Sequence, residues 1–244
     1  MYGLIGKKLG HSFSADFFNT KFEREGIDNS YHLLPIDKIE DFPSLLDSHK
    51  DLQGLNVTIP YKKEIIRYLD ALSDEAREIG AVNVIKFEEK NGKRFLVGHN
   101  SDIKGFENSL LPLLRSDITK ALVLGTGGAS QAVVFVLNKL GLKVTLVSRS
   151  PQENQLSYQD LSPEIIKDNL LIVNTTPLGM FPDTEGFPPI PYHNLTPKHL
   201  CYDLVYNPET TAFMKKAKEY GAKVKNGLEM LEGQAIAAWD IWTK

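Results

Sequence analysis

Ala121-Leu122-Val123-Leu124-Gly125-Thr126-Gly127-Gly128-Ala129-Ser130 is the stretch on which the fold turns. Its four opening apolar residues read as a buried strand, the glycines as a tight turn, and residues 130–140 as a helix stopped at Gly141. A glycine-rich turn between a strand and a helix aims backbone N–H groups at one point, where the helix dipole adds positive charge. Such a place suits a pyrophosphate. Gly125 permits the turn, while Gly127 and Gly128 let a phosphate close on the backbone. Ser130 stands where the third glycine of the common pattern would be. Glycines alone also punctuate purely structural turns; the strand before and the helix after are what favour a dinucleotide.

The next strand, residues 143–147, ends in Ser148-Arg149-Ser150. A site for NAD places Asp or Glu about 20 residues beyond the loop to accept from the ribose 2′-OH. Here there is no carboxylate to repel a 2′-phosphate, and the Arg149 guanidinium can pair with one or stack on adenine. The reading is therefore NADP(H), against the plainer one of a solvated surface arginine.

Further strands are expected at residues 170–173 and 200–205, a proline-rich surface loop at 181–197, and a last helix at 229–242. Upstream, residues 2–5, 31–36 and 54–57 read as strands. Residues 14–25 read as a helix with Phe17, Phe18 and Phe22 on one face and Gly26 at its end. Pro60 opens an expected helix running through Ile65, Ile66, Leu69 and Leu72. Asn91-Gly92 joins two apolar runs, 81–87 and 94–97, as a hairpin. A helix at 103–114, capped by Asp102, leads into the glycine stretch. The fold class is α/β, with the alternating second part forming a parallel sheet covered by helices.

At 244 residues there is room for one large domain or two small ones, and 42% apolar with 24% charged residues is ordinary for a globular chain. A net charge of −3 gives no broad cationic surface, which argues against nucleic acid as a partner. No apolar run nears the roughly 20 residues of a membrane span. Met1-Tyr2-Gly3-Leu4-Ile5-Gly6 lacks the pattern of a secretory signal, so a cytoplasmic location is expected. Cys201 has no partner for an internal disulfide, and no Cys/His cluster suggests a metal.

Two motifs outside the glycine stretch carry chemistry. Asn56-Val57-Thr58-Ile59-Pro60-Tyr61-Lys62 presents Asn56, Thr58 and Lys62 around one turn, and Asn100-Ser101-Asp102 opens a helix. Taken alone, Lys62 is a surface charge and Asp102 an N-cap. Other motifs accompany them along the chain: His11-Ser12-Phe13-Ser14, Gly80-Ala81-Val82-Asn83, Asn174-Thr175-Thr176-Pro177-Leu178-Gly179-Met180, Asp203-Leu204-Val205-Tyr206-Asn207-Pro208, and Asn226-Gly227-Leu228-Glu229-Met230-Leu231 with Gln234.

In this order, over nearly the whole length, the chain resembles the shikimate/quinate dehydrogenase family. The resemblance implies reversible, NADPH-dependent reduction of 3-dehydroshikimate to shikimate, a step of aromatic amino-acid biosynthesis. It makes Lys62 the proton donor with Asp102 beside it. Ser12 and Ser14, expected in an extended stretch with side chains on one side, match the pair that binds the substrate carboxylate. Thr58, Asn83 and Gln234 match hydroxyl contacts, and Tyr206 a tyrosine near the carboxylate. Gly125, Gly127, Gly128, Ala129, Ser130, Ser148, Arg149, Ser150 and Thr175 fall on the cofactor side, with Gly227 where the nicotinamide approaches. No metal is implied.

The chain departs from the family pattern at Lys8, Ala15, Phe18-Asn19, Val84 and Ser148. Several of these lie in the serine loop, which leaves a broader shikimate/quinate specificity open. Two other readings are a methylenetetrahydrofolate dehydrogenase of related architecture, which does not account for the serines with Lys62 and Asp102, and a silent NADP-binding regulator. Two domains are expected. Residues 1–103 with 227–244 would bind substrate and residues 104–226 would form a Rossmann-type NADP domain, with the active site in the cleft between them, in a monomer or homodimer.

Overall fold

The structure, a computed structural model, describes residues 1–10 and 12–244; His11, which opens the serine motif, lies outside the described residues. The chain divides into two compact units, Met1–Lys104 with Gly233–Lys244, and Gly105–Glu232. Each is built on its own sheet.

The first unit runs β1 (Tyr2–Gly6), α1 (Phe13–Glu25), β2 (Tyr31–Pro35), α2 (Phe42–Ser48), β3 (Gly54–Val57), β4 (Ala71–Leu72), α3 (Asp74–Ile79), β5 (Val84–Lys90) and β6 (Lys93–His99). The sheet order is β2-β1-β3-β5-β6-β4. β1 pairs in parallel with β2 and β3, whereas β5 runs antiparallel to both β3 and β6. Asn91 and Gly92 take φ of 54° and 70°, as a two-residue hairpin turn between β5 and β6 requires. Because β5 is antiparallel to β3, the end of β3, the start of β5 and the end of β6 lie at one edge of the sheet. That edge receives every catalytic candidate of this unit that follows or precedes those strands.

One face of the sheet packs Tyr2, Leu4 and Tyr31 against Phe18 and Phe22 of α1 and Ala235, Ala238 and Trp242 of the last helix. Trp242 stacks on Tyr2 at 4.7 Å, and its Nε1 donates to the Ile85 carbonyl at 3.1 Å. An indole buries a large apolar area and here also satisfies its donor, which anchors the C-terminal helix to this unit.

Two local expectations change. The helix expected from Pro60 through Leu72 is only a 3₁₀ turn, Glu64–Tyr68. Beyond Leu69 the chain turns into a strand instead: Asp70 N–H donates to the Leu96 carbonyl, its carboxylate accepts from Leu96 N–H at 2.7 Å, and β4 pairs with β6. Sheet pairing outcompetes a helix here. The helix expected from Ser14 begins a residue earlier, at Phe13, so Ser14 lies in its first turn and not in an extended stretch.

The chain passes into the second unit along α4 (Asp102–Leu110) and continues through β7 (Lys120–Leu124), α5 (Gly128–Lys139), β8 (Lys143–Val147), α6 (Pro163–Asp168), β9 (Leu171–Asn174), β10 (Leu200–Asp203), α7 (Ala212–Glu219), β11 (Lys223–Lys225) and α8 (Leu228–Thr243). Its sheet is parallel, in the order β11-β10-β9-β7-β8. Alternation along the strands sends Leu122, Leu124, Ile172 and Cys201 into a core with Phe213, Met214 and Ala217 of α7. Ala121, Val123, Val173 and Tyr202 are equally buried on the other face, where Phe106 of α4 meets Tyr202 at 5.2 Å. Burial on both faces is why these strands are continuous apolar runs. The chain leaves β7 toward β8 on one side and returns to β9 on the other, so the strand order reverses at β7, the position at whose strand ends ligands of such sheets bind.

Among the described residues no helix is long and apolar enough to cross a membrane, and no group of three or more His, Cys, Asp or Glu could hold a metal ion.

Candidate active site

In the first unit, Lys62 follows β3 by one turn and Asp102 opens α4. Lys62 Nζ lies 2.6 Å from Asp102 Oδ2, with side-chain exposures of 23% and 6%. The other carboxylate oxygen, Oδ1, accepts from Asn83 Nδ2 at 2.8 Å. Asn83 also donates to Ser101 Oγ at 3.1 Å and accepts the Ser101 N–H at 2.7 Å. The Asp102 N–H donates to Asn100 Oδ1 at 3.0 Å, and Asn100 Nδ2 to the Ala81 carbonyl. The capping acceptor at this helix start is thus Asn100, while the Asp102 carboxylate faces the lysine. A carboxylate this buried would carry a heavy desolvation cost without partners on both oxygens. The ammonium keeps part of its surface open, so it can reach a ligand while the carboxylate holds it in place.

Thr58 sits between β3 and Lys62, its N–H on the Ile5 carbonyl. Ser12 is the N-cap position of α1 and makes no side-chain cap bond, so helix capping does not account for its hydroxyl. Ser14 is beside the phenol of Tyr31, a buried residue whose O–H donates to Asn56 Oδ1 at 2.8 Å. Asn56 Nδ2 continues to the Asn83 carbonyl at 3.1 Å. Tyr31 had no sequence signal beyond a place at a strand start, because its partner is 25 residues away. Gln234 lies on α8, in the part of that helix that belongs to this unit.

In the second unit, Gly125 has a φ of +105°, which only glycine adopts without strain, and an added Cβ would come within 2.9 Å of Thr175 Oγ1. Gly127 is the N-cap position of α5 with a φ of −77°, and Gly128 and Ala129 lie in its first turn. A Cβ at Gly127 or Gly128 would meet nothing within 4 Å. Neither backbone geometry nor packing calls for glycine there, so the bare backbone at the helix start is a cradle that a side chain would fill. Ser130 is buried, and both its hydroxyl and its N–H donate to the Gly127 carbonyl, so it holds the loop's shape. The Thr175 hydroxyl donates to the Leu124 carbonyl at 2.8 Å, tying β9 to β7 beneath the loop.

Ser148, at the end of β8, accepts the Ser150 N–H at 3.2 Å, which shapes the turn that carries the exposed Arg149. Arg149 is also close enough to favour the ionised form of the Tyr158 phenol, against the burial that raises it. At the ends of β9 and β10, Asp203 accepts from Asn174 Nδ2 (2.9 Å), Val205 N–H (3.1 Å) and Thr211 Oγ1 (2.6 Å). Burial pushes this carboxyl up to about 6, with the three hydrogen bonds opposing. Gly227 is packed so that a Cβ would lie 2.0 Å from the Leu204 carbonyl oxygen, which explains glycine there on contact alone. Tyr206 follows β10 and is 40% exposed.

The substrate-binding domain of shikimate dehydrogenase, as a family description, matches residues 4–85. Across 256 aligned residues the chain is 41% identical to the shikimate dehydrogenase (NADP(+)) of Clostridium beijerinckii, covering 99% of this chain and 91% of that protein. The chain belongs to the shikimate dehydrogenase family. Shikimate 5-dehydrogenase from Thermus thermophilus, solved in complex with NADP(H) and shikimate, superposes with a TM-score of 0.85 at 32% identity, over 99% of this chain and 92% of that one. Quinate dehydrogenase from Corynebacterium glutamicum, solved in complex with NAD, gives 0.87 at 25% identity, over 99% and 93%. The family is one of oxidoreductases with two α/β parts, the architecture seen in this chain.

Proposed function

We propose that this chain catalyses the reversible NADP-dependent interconversion of 3-dehydroshikimate and shikimate. The observation that carries the reading is Lys62 held at 2.6 Å by a buried Asp102, which Asn83 braces from the other side. When bound, NADP(H) supplies or accepts the hydride. Reduction of a carbonyl leaves charge on its oxygen, and a positioned donor must neutralise it. Lys62 Nζ donates that proton, and in the alcohol-oxidising direction it receives one, while Asp102 fixes the ammonium and hydrogen-bonds the reacting hydroxyl. Ser12, Ser14 and Tyr206 bind the substrate carboxylate; Thr58, Asn83 and Gln234 contact its hydroxyls.

The backbone of Gly125, Gly127, Gly128 and Ala129 would hold the cofactor's pyrophosphate, and the open space at Gly127 and Gly128 fits it. Ser130 and Thr175 support this cradle; Ser148, Arg149 and Ser150 would hold the 2′-phosphate, and Gly227 would face the nicotinamide. The substrate-binding part corresponds to residues 1–103 with 227–244, and the cofactor part to 104–226. The reading places the enzyme in the cytoplasm, and it needs no second copy of the chain in the site: a monomer or a homodimer serves.

The likeness to a quinate dehydrogenase keeps one second reading, the same chemistry on quinate. Purified protein with NADP⁺ and either shikimate or quinate, followed at the nicotinamide absorbance, tests both. Turnover with shikimate well above quinate is expected. Turnover with quinate alone replaces the first reading by the second, and none with either overturns both.

A further inference from the structure

Tyr31 opens β2 at 3% exposure, with its ring stacked on Phe18 (centroids 4.8 Å apart, planes 16° apart). The packing fixes where its oxygen sits. From that oxygen a chain of hydrogen bonds runs to Asn56 Oδ1 (2.8 Å), from Asn56 Nδ2 to the Asn83 carbonyl (3.1 Å), and from Asn83 Nδ2 to Asp102 Oδ1 (2.8 Å). Ser14 is another polar neighbour of the phenol, so Tyr31 joins the serine end of the site to the Asn83–Asp102 end.

An asparagine amide presents an acceptor at one end and donors at the other, and its partners decide which end points where. The backbone carbonyl of Asn83 can only accept. Asn56 must turn its NH₂ toward it, and this leaves Oδ1 facing Tyr31 in need of a donor. The phenol supplies one, and burial raises its pKa so that it keeps the proton.

We propose that Tyr31 is a positioning residue for substrate, acting through Asn56 to hold the Asn83 segment in register beneath the bound ring. The proposal rests on the dehydrogenase reading given above. Its chemistry is hydrogen-bond orientation alone; Tyr31 takes no part in proton or hydride transfer.

The test compares Tyr31→Phe, Asn56→Ala and the double variant with the wild-type chain, assayed with NADP⁺ and shikimate well below their melting temperatures. Tyr31→Phe keeps the stacked ring and removes only the hydroxyl. The expected result is a KM for shikimate raised about 3- to 10-fold, the range of one neutral hydrogen bond, with the KM for NADP⁺ unchanged. The double variant is expected to match Asn56→Ala alone. Parallel rises in both KM values, an unchanged KM for shikimate, or effects that multiply in the double variant would each overturn the proposal. An inactive wild-type chain would overturn the dehydrogenase reading and this proposal together, whereas an active one with a wild-type-like Tyr31→Phe overturns this proposal alone.

Discussion

Asp102 holds two partners at once: Oδ2 is 2.6 Å from Lys62 Nζ and Oδ1 is 2.8 Å from Asn83 Nδ2. The carboxylate is thereby fixed in rotation as well as position, and the lysine it orients cannot swing away without leaving a buried oxygen unpaired. Substitutions on either side of this relationship have different consequences, as do substitutions in the cofactor cradle.

Lys62→Ala removes the proposed proton donor and leaves the hydrogen bonds of Asn83 and Ser101 in place. Loss of one positioned acid–base group costs about 10²–10⁴-fold in rate, so kcat is expected to fall by that amount with the KM for shikimate little changed. Steady-state kinetics decide it; near wild-type turnover would refute the role given to Lys62.

Arg149→Ala tests the contact proposed between this guanidinium and the cofactor's 2′-phosphate. The KM for NADP⁺ is expected to rise roughly tenfold or more, the scale of a hydrogen bond to a charged group, with little change for NAD⁺. Equal losses with the two cofactors would mean that the guanidinium does not read the phosphate.

Gly125 and Gly128 separate backbone strain from ligand space. Gly125→Ala forces a φ of +105° on a residue with a Cβ, 2.9 Å from Thr175 Oγ1, and is expected to cost about 1–3 kcal/mol in denaturant unfolding. Gly128→Ala meets nothing within 4 Å and is expected to leave stability within about 0.5 kcal/mol while weakening NADP⁺ binding in a titration. Undiminished binding by Gly128→Ala would mean that the bare backbone there does not receive the phosphate.

Asp203 links stability to pH. Burial raises its folded pKa to about 6, above the unfolded value near 4, so the folded chain holds this proton more tightly. The stability it contributes is complete below about pH 4 and is lost as pH rises through about 6. His99, whose burial lowers its pKa, acts in the opposite sense as it charges. The informative quantity is therefore the difference between wild type and Asp203→Asn, which keeps the Oδ1 acceptor for Asn174 and Val205. Urea unfolding at pH 4.5 and 7.5 should show that difference shifting by about 2 kcal/mol in favour of wild type at the lower pH. A constant difference would mean that Asp203 titrates alike folded and unfolded.

Local chemistry makes much of this protein legible in its sequence. Residues 121–141 announce strand, turn and helix through apolar runs and glycines that act within a few positions of one another, and the structure places β7, α5 and the stop at Gly141 accordingly. The Asn91-Gly92 hairpin was legible for the same reason: its turn geometry is a property of two residues. The order of short motifs carried the family, because each is a local string.

What only the tertiary structure decided rests on partners far apart in the chain. Residues 69–72 carry helical spacing, yet Ala71–Leu72 form an edge strand, because Leu96 offers both a backbone acceptor and a donor to Asp70 just before it. Asp102 reads as a helix cap until Asn100 is seen to do that work and Lys62, 40 positions away, is seen to occupy the carboxylate. Tyr31 has no signal in the sequence beyond its place at a strand start, since its meaning lies in an asparagine on another strand. Periodicity and turn chemistry are set by neighbours in sequence; the direction of a buried hydrogen bond is set by whichever polar group the fold brings alongside. The sequence by itself determined the residues available for chemistry and the elements that carry them, and the packed sheet determined which of them face one another.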